Sequence, residues 1–295
     1  MPQYKIFTVD AFTEVAFRGN QAAVIAVPSD SPIDDRTMQA IAAEMNISET
    51  AFITPLMLQE PDEFRNSQVF SLRWFTPTCE VKLCGHATLA AAHALKYELG
   101  NEHCLMEFKT ASGTLSVYLG GAKNYYTLVL PMDPPAPMPV TDDVKTIVAG
   151  MFGEYKPSIH VEMSPSLRYM VVHDPAITEE DIAQLKPRLS LELVAAGKRE
   201  NIMAVIVTSK GESYSHDFCC RFFAPWCGID EDPVTGSAYT VLGPFWKERL
   251  EEGKMNARQC SKRGGDVRLV LRYTTNKDIA VEGSAVTVVS GTINI

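Results

Sequence analysis

The chain has 295 residues, of which 46% are hydrophobic and 21% charged, a balance typical of a globular protein with a substantial core. A formal net charge of -9 without a basic stripe argues against nucleic acid or an anionic membrane surface as a partner. No apolar run approaches the roughly eighteen residues of a membrane span. The seven cysteines contain no Cys-x-x-Cys pair and the N-terminus carries no secretory signal, so we expect a soluble, reduced, cytoplasmic protein.

The first half of the chain predicts strands alternating with helices. An apolar strand at 22–27 precedes a helix start at 31–34, where a serine cap, a first-turn proline and an acidic residue follow one another. A second strand follows at 51–53. Residues 89–95 are apolar nearly all round, which predicts a buried helix with a sheet curled around it, ending at Gly100-Asn101.

Residues 131–139 contain five prolines and predict a semi-rigid linker, because such a run can neither continue a helix nor lie inside a sheet. We therefore place the domain boundary here. The prediction is an N-terminal domain at 1–133 and a C-terminal domain at 134–295.

The second half repeats the pattern of the first. The segment 73–79, which reads Arg, aromatic, Phe, small, Pro, any residue, Cys, recurs at 221–227, half a chain later. Each copy is followed by acidic residues, a glycine and an apolar helix. The strands and helix upstream also have counterparts, at 169–172, 178–185 and 204–207. We predict an α+β protein with two duplicated domains, each a curved, mostly antiparallel sheet around a central helix.

The two glycines of the repeat, Gly85 and Gly236, are predicted at helix starts, where free backbone N–H groups and the helix dipole favour an anion. Duplicated domains often present equivalent loops to a shared cleft, so the pair predicts a site for a small carboxylate. The alternative is that each glycine only permits a tight turn before a buried helix.

Other cofactor signals are weak. Cys79, Cys84 and His86 have a spacing that metal ligands can have, but no second pair follows downstream, so we predict no metal site. The glycine-rich fingerprint of nucleotide-binding proteins is missing after any strand. We therefore predict neither a metal nor a cofactor.

Several of these motifs resemble the PhzF-like family, the relatives of the phenazine-biosynthesis isomerase. The resemblance covers nearly the whole chain in the family's order, except that the family often has proline where Gln21 stands. It implies the diaminopimelate-epimerase-like fold, a site between the two domains and a homodimer. The motifs are Phe-Arg-Gly-Asn-Gln-Ala-Ala-Val at 17–24, Asn-Ile-Ser-Glu-Thr-Ala-Phe at 46–52, Arg-Trp-Phe-Thr-Pro at 73–77, Leu-Cys-Gly-His-Ala-Thr-Leu at 83–89 and Glu-Asp-Pro-Val-Thr-Gly-Ser-Ala at 231–238.

The resemblance also assigns roles to individual residues. Glu49 matches the family's acid/base, which moves a proton between carbon atoms of the substrate; without the resemblance it would be interpreted as a solvated turn carboxylate. His86 and Asp232 match residues that position the substrate. The remaining substrate-binding positions implied by the motifs are Asn20, Ser48, Gly85, Thr235, Gly236 and Ser237.

Cys84 has more than one interpretation. Two-base racemases of this fold place a cysteine beside each glycine, but the counterpart of Cys84 is Thr235, so two-base racemisation is disfavoured. Cys84 is then either a small buried residue or the single thiolate of a dehydratase or lyase. The leading hypothesis is a cofactor-independent isomerase of a small carboxylate, and the remaining alternative is an interaction or regulatory protein that has lost catalysis on the same fold.

Overall fold

The computed structural model describes residues 2–56, 62–120, 124–212, 215–272 and 277–295. The chain divides into two compact units, the first made of residues 1–129 and 281–295 and the second of residues 130–280. The first boundary lies close to the one predicted at 133. The C-terminal residues differ from the prediction, because the last strand returns to the first unit and pairs with its N-terminal strand.

The first unit is a sheet around one helix. Strand β1 pairs with β2 and with the C-terminal strand β17, β2 continues through β3, β4, β6 and β7 to β8, and β8 pairs with β17. The strands therefore close into a barrel-like ring. The elements are β1 (Gln3–Ala11), β2 (Asn20–Ala26), α1 (Asp35–Met45), β3 (Glu49–Pro55), α2 (Glu63–Asn66), β4 (Val69–Phe75), β5 (Glu80–Val81), α3 (Gly85–His93) with a π-turn at Ala94–Glu98, β6 (Leu105–Thr110), β7 (Gly113–Leu119), β8 (Tyr125–Pro131) and β17 (Asp278–Asn294).

Helix α3 is the central helix that the sequence predicts. Every residue from Gly85 to His93 is buried, so the helix needs apolar or small side chains on all its faces. Gly100 ends the turn that follows with a φ of 70°, the left-handed conformation expected of a helix-terminating glycine. The buried helix and its end are both confirmed.

Among the described residues, the second unit contains one more helix than the first. The long helix α7 is buried over most of its length and includes Pro244. The elements are β9 (Ala136–Pro137), α4 (Asp142–Phe152), β10 (His160–Met163), β11 (Tyr169–His173), α5 (Glu179–Gln184), α6 (Leu191–Arg199), β12 (Ala204–Lys210), β13 (Phe218–Ala224) with a 3₁₀ turn at Pro225–Cys227, β14 (Ile229–Asp232), α7 (Ala238–Leu250), β15 (Lys254–Gln259) and β16 (Gly265–Arg272).

Strand pairing confirms the internal duplication. In the first unit β2–β3 is parallel, β3–β4 and β4–β5 are antiparallel, β4–β6 is parallel and β6–β7 is antiparallel. The second unit repeats this order with β11–β12 parallel, β12–β13 and β13–β14 antiparallel, β13–β15 parallel and β15–β16 antiparallel. Five successive pairings of the same sense make the two units copies of one topology.

The arginine of the repeated motif has the same role in both units. Arg73 Nε lies 2.8 Å from Glu80 Oε1, and Arg221 Nε lies 2.6 Å from Glu231 Oε1. Each guanidinium also lies 5.1 Å from the ring of the phenylalanine two residues later. Glu80 and Glu231, which follow the two motif copies, are therefore the partners of the two motif arginines.

Two local predictions were wrong. Helix α1 begins at Asp35 with Asp34 as its N-cap, so Pro32 lies before the helix and not in its first turn. The proline-rich segment is not only a linker, because Ala136 and Pro137 pair with β10, a position where proline is tolerated at a sheet edge.

None of the helices in the described ranges combines the length and the hydropathy needed to cross a bilayer.

Candidate functional site

Glu49 and His86 form a buried pair in the first unit. Glu49 is the first residue of β3, which lies parallel to β2, and His86 is the second residue of α3. His86 Nε2 lies 3.0 Å from Glu49 Oε2, and the two side chains are only 5% and 12% exposed. The fold thus removes from solvent a carboxylate that the residues alone would place in a solvated turn.

The contact between these side chains is close without being an aligned hydrogen bond. Glu49 Oε2 is buried and accepts no hydrogen bond from any described residue. A buried carboxylate oxygen without a hydrogen-bond donor is costly in a folded protein. Such an atom is available to accept a proton or a donor group from a substrate.

Asn20 and Ser48 hold the other side of the imidazole. The amide nitrogen of Asn20 lies 3.1 Å from His86 Nδ1, and the Ser48 hydroxyl donates to the Asn20 amide oxygen at 3.3 Å. In the neutral imidazole Nδ1 accepts from the Asn20 amide and the proton lies on Nε2, toward Glu49. In the imidazolium Nδ1 also carries a proton, and the Asn20 amide must then turn its oxygen toward it. The structure therefore brings four predicted residues, Asn20, Ser48, Glu49 and His86, into one cluster.

Cys84 belongs to the same cluster. Its sulfur lies 3.5 Å from Nδ1 and 4.0 Å from Nε2 of His86, and it is the N-cap residue of α3. Burial, followed by the charge of Glu49, raises the pKa of the Cys84 thiol. Cys84 therefore stays protonated at neutral pH in this environment.

The charge on His86 depends on its neighbours. Burial by itself would lower the pKa of His86, but the anionic forms of Cys84 and Glu49 raise the pKa well above its ordinary value. Since Cys84 remains a thiol, we attribute the rise to Glu49. The pair thus favours a protonated imidazole whenever Glu49 carries its charge.

The second unit holds another group of predicted residues, before helix α7. The Thr235 hydroxyl donates to the carboxylate of Asp232, and Gly236 is buried. Ser237 is the N-cap residue of α7, but its side chain makes no capping hydrogen bond and lies instead 3.1 Å from the hydroxyl of Tyr169. Helix α7 begins at Ala238, so Gly236 precedes the cap and is not the first helical residue.

Two residues near this group were not predicted from the sequence. Gln259 accepts from the Thr235 backbone N–H at 2.9 Å and donates to the Asp232 carbonyl at 2.7 Å, and Tyr169 contacts Ser237. Alternation in β15 points Met255, Ala257 and Gln259 inward, so a glutamine at an inward position was the available signal. For Tyr169 the sequence contains no comparable signal.

Of the three residues that the sequence analysis weighed as metal ligands and set aside, the structure brings Cys84 and His86 together but not Cys79. Cys79 is exposed and hydrogen-bonds with Thr76. In its place Glu49 joins Cys84 and His86, and one ligand atom from each lies within 4.8 Å of the others. Proximity of this kind arises only in the fold, because Glu49 lies on a different element from the other two.

The chain is similar to known proteins over nearly its whole length. The family model for phenazine biosynthesis-like proteins matches residues 9–291. The mouse phenazine biosynthesis-like domain-containing protein 1 is 39% identical over 297 residues, covering 98% of each chain. A protein of Halalkalibacterium halodurans named an uncharacterised isomerase is 38% identical over 289 residues, covering 96% of each chain.

A solved structure shows the same fold. The crystal structure of a PhzF family protein from Enterococcus faecalis matches with a TM-score of 0.83 at 32% identity, covering all of both chains. Epimerase structures at 10% to 20% identity share the fold alone, which confirms the predicted diaminopimelate-epimerase-like class. The chain therefore belongs to the phenazine biosynthesis-like, or PhzF, protein family.

Proposed function

We propose that this protein is an isomerase that moves a proton between carbon atoms of a small carboxylate-bearing substrate, with Glu49 as the acid/base. The relatives named as isomerases support the reaction class. The observation that carries the proposal is the buried Glu49–His86 pair, in which Glu49 Oε2 accepts no hydrogen bond from a described residue. A carboxylate in such surroundings can take a proton from carbon and return it to another position.

His86 has a positioning role in this proposal. Its Nε2–H faces Glu49, and its Nδ1 is held by Asn20, so the ring cannot turn without breaking the contact with Asn20. A protonated His86 stabilises the Glu49 carboxylate before the proton is taken up. Since the same contact weakens once Glu49 is protonated, the pair helps return the proton to the substrate.

The carboxylate of the substrate needs hydrogen-bond donors. The N–H groups at the start of α3 have no partner inside the helix, and we propose that they bind the carboxylate of the substrate. In the second unit we propose, on the strength of the family resemblance, that Asp232, Thr235, Gly236 and Ser237 also bind the substrate. No cofactor is needed for a proton shift of this kind, and the expected homodimer remains a prediction.

The test uses proton exchange, so that the substrate need not be known in advance. The protein is incubated in D₂O with a panel of small carboxylic acids, and mass spectrometry detects deuterium that becomes attached to carbon. We expect one substrate class to gain deuterium or to change to an isomer separable by chromatography. The Glu49→Gln variant should abolish both signals.

The matched control is Glu107→Gln, which changes a partly exposed glutamate of β6 in the same unit and should retain full activity. Thermal unfolding establishes that both variants are folded. Full turnover by the Glu49→Gln variant would exclude the mechanism. Absence of turnover for the wild-type protein across the panel would favour the alternative of an interaction protein.

A further inference from the structure

We propose that Glu49, Cys84 and His86 form a binding site for a zinc ion, which inhibits the protein. The three side chains offer an oxygen, a sulfur and a nitrogen atom, all buried and all within 4.8 Å of one another. Three protein ligands plus one open position is the arrangement of catalytic zinc sites, and this mixture of donor atoms suits zinc.

The distances between the ligand atoms are close to those of a tetrahedral site. Zinc bonds of about 2.0–2.3 Å place neighbouring ligand atoms about 3.4–3.6 Å apart. His86 Nε2 lies 3.0 Å from Glu49 Oε2 and 4.0 Å from Cys84 Sγ. All three ligand atoms lie within 4.8 Å of one another, so a tetrahedral geometry requires side-chain shifts of up to about 1 Å.

Charge neutralisation favours the ion. Zinc with the Glu49 carboxylate, the Cys84 thiolate and a neutral His86 gives a site without net charge, so neither anion is left buried without a partner. Binding requires the thiol of Cys84 to lose its proton: the S–H bond breaks, the sulfur–zinc bond forms and the proton goes to solvent. Each zinc ion bound therefore releases at least one proton.

The surrounding hydrogen bonds can adapt to the metal-bound form. Zinc on Nε2 requires a proton on Nδ1 of His86, and this N–H needs an acceptor. Rotation of the Asn20 amide by half a turn presents its oxygen to Nδ1, and the Ser48 hydroxyl can then accept from the amide nitrogen. Asn20, supported by Ser48, can therefore hydrogen-bond to both the metal-free and the metal-bound form of His86.

The zinc ion would inhibit the protein because it would bind an atom that the proposed reaction needs. Zinc on Glu49 Oε2 uses the oxygen that accepts the proton of the substrate, so this consequence rests on the proposed function. The binding of the ion does not, because it depends only on the three side chains. Magnesium and calcium prefer oxygen ligands and should bind far more weakly at a site that contains sulfur and nitrogen.

The test titrates the metal-free protein with cobalt(II), a coloured substitute for zinc. We expect one equivalent to produce a near-ultraviolet sulfur-to-cobalt charge-transfer band and the visible absorption of a tetrahedral ion, both removed by added zinc. A pH indicator should report proton release in step with binding. Cys84→Ser should abolish the charge-transfer band, and Asn20→Ala should weaken binding by about 10-fold.

The matched control is Cys79→Ser, which removes an exposed thiol and should leave the band and the affinity unchanged. Thermal unfolding of Cys84→Ser, with Cys84→Ala as a second replacement, separates loss of the ligand from loss of the fold. A charge-transfer band that survives both replacements of Cys84, or no tight cobalt binding at all, would overturn the proposed site. If cobalt binds as expected but no substrate shows proton exchange, the zinc site stands and the proposed isomerase function fails.

Discussion

The imidazole of His93 is hydrogen-bonded to the hydroxyl of Tyr126 inside the first unit, with His93 Nδ1 and the phenol oxygen 2.9 Å apart. The other ring nitrogen lies 3.1 Å from the hydroxyl of Thr287, in the C-terminal strand β17. Burial lowers the pKa of His93 from 6.5 to about 4. A histidine in the central helix is therefore held neutral and joins that helix to two strands.

This histidine makes stability dependent on pH. Between pH 6.5 and about 4 the unfolded chain binds a proton that the folded His93 does not, so unfolding becomes easier as the pH falls through this range. Lowering the pH from 7.5 to 4 should therefore cost about 3 kcal/mol of unfolding free energy from this group. Urea unfolding at several pH values measures the loss.

Replacing His93 also removes hydrogen bonds, which lowers the unfolding free energy at every pH. The quantity to compare is therefore the slope of the unfolding free energy against pH. His93→Gln should flatten the dependence of the unfolding free energy on pH below 6.5. Equal slopes for His93→Gln and the wild-type protein would contradict the interpretation.

Gly19 controls the position of Asn20, the residue that holds His86. Gly19 has a φ of 64°, and an added Cβ would lie 2.1 Å from the carbonyl oxygen of Ala11. Gly19→Ala should therefore cost more than ~2 kcal/mol of unfolding free energy and displace Asn20, with loss of activity. Gly100 has a similar φ of 70° with no described atom within 4 Å of an added Cβ, so Gly100→Ala should cost only about 1 kcal/mol. Equal losses in the two variants, measured by urea unfolding, would show that the clash is relieved elsewhere.

The two motif arginines should differ in their contribution to stability. Arg221 is 10% exposed, and besides Glu231 it donates to the backbone carbonyl oxygen atoms of Ile182 and Leu185, whereas Arg73 is 30% exposed. Arg221→Ala should cost about 3 kcal/mol, because it removes the guanidinium from the partly buried Glu231 carboxylate and from the carbonyl oxygen of Leu185. Arg73→Ala should cost about 1 kcal/mol. The midpoints of urea unfolding rank the two variants, and a larger loss for Arg73→Ala would refute the comparison.

Cys84 should react slowly with alkylating reagents. It is buried, and burial followed by the charge of Glu49 raises its pKa, so little thiolate is present at neutral pH. Iodoacetamide should modify the exposed cysteines Cys79, Cys104 and Cys227 first, as followed by mass spectrometry of peptides. Rapid alkylation of Cys84 with parallel loss of activity would instead support the single-thiolate dehydratase or lyase.

The duplication could be predicted from the sequence because it depends on local patterns. The repeated motif at 73–79 and 221–227, the buried helix at 89–95 and the glycine at position 100 are visible in residue order and periodicity. Residues close in sequence form these features, and side-chain size and backbone conformation decide them locally. The family resemblance likewise followed from short motifs in a characteristic order.

The chemistry of the first-unit cluster depended on the tertiary structure. Glu49 comes from a strand, and Cys84 and His86 come from the start of a helix; the fold brings all three together and buries them. Burial raises the pKa of Cys84, and the fold brings Glu49 close enough to raise the pKa of His86. Neither effect can be predicted from residue type. The return of residues 281–295 to the first unit was also beyond the sequence, because strand pairing between the two ends of a chain leaves no local pattern. Composition and motif order thus determined two duplicated domains of one family, whereas the fold decided which polar groups lie in contact and in what state of charge.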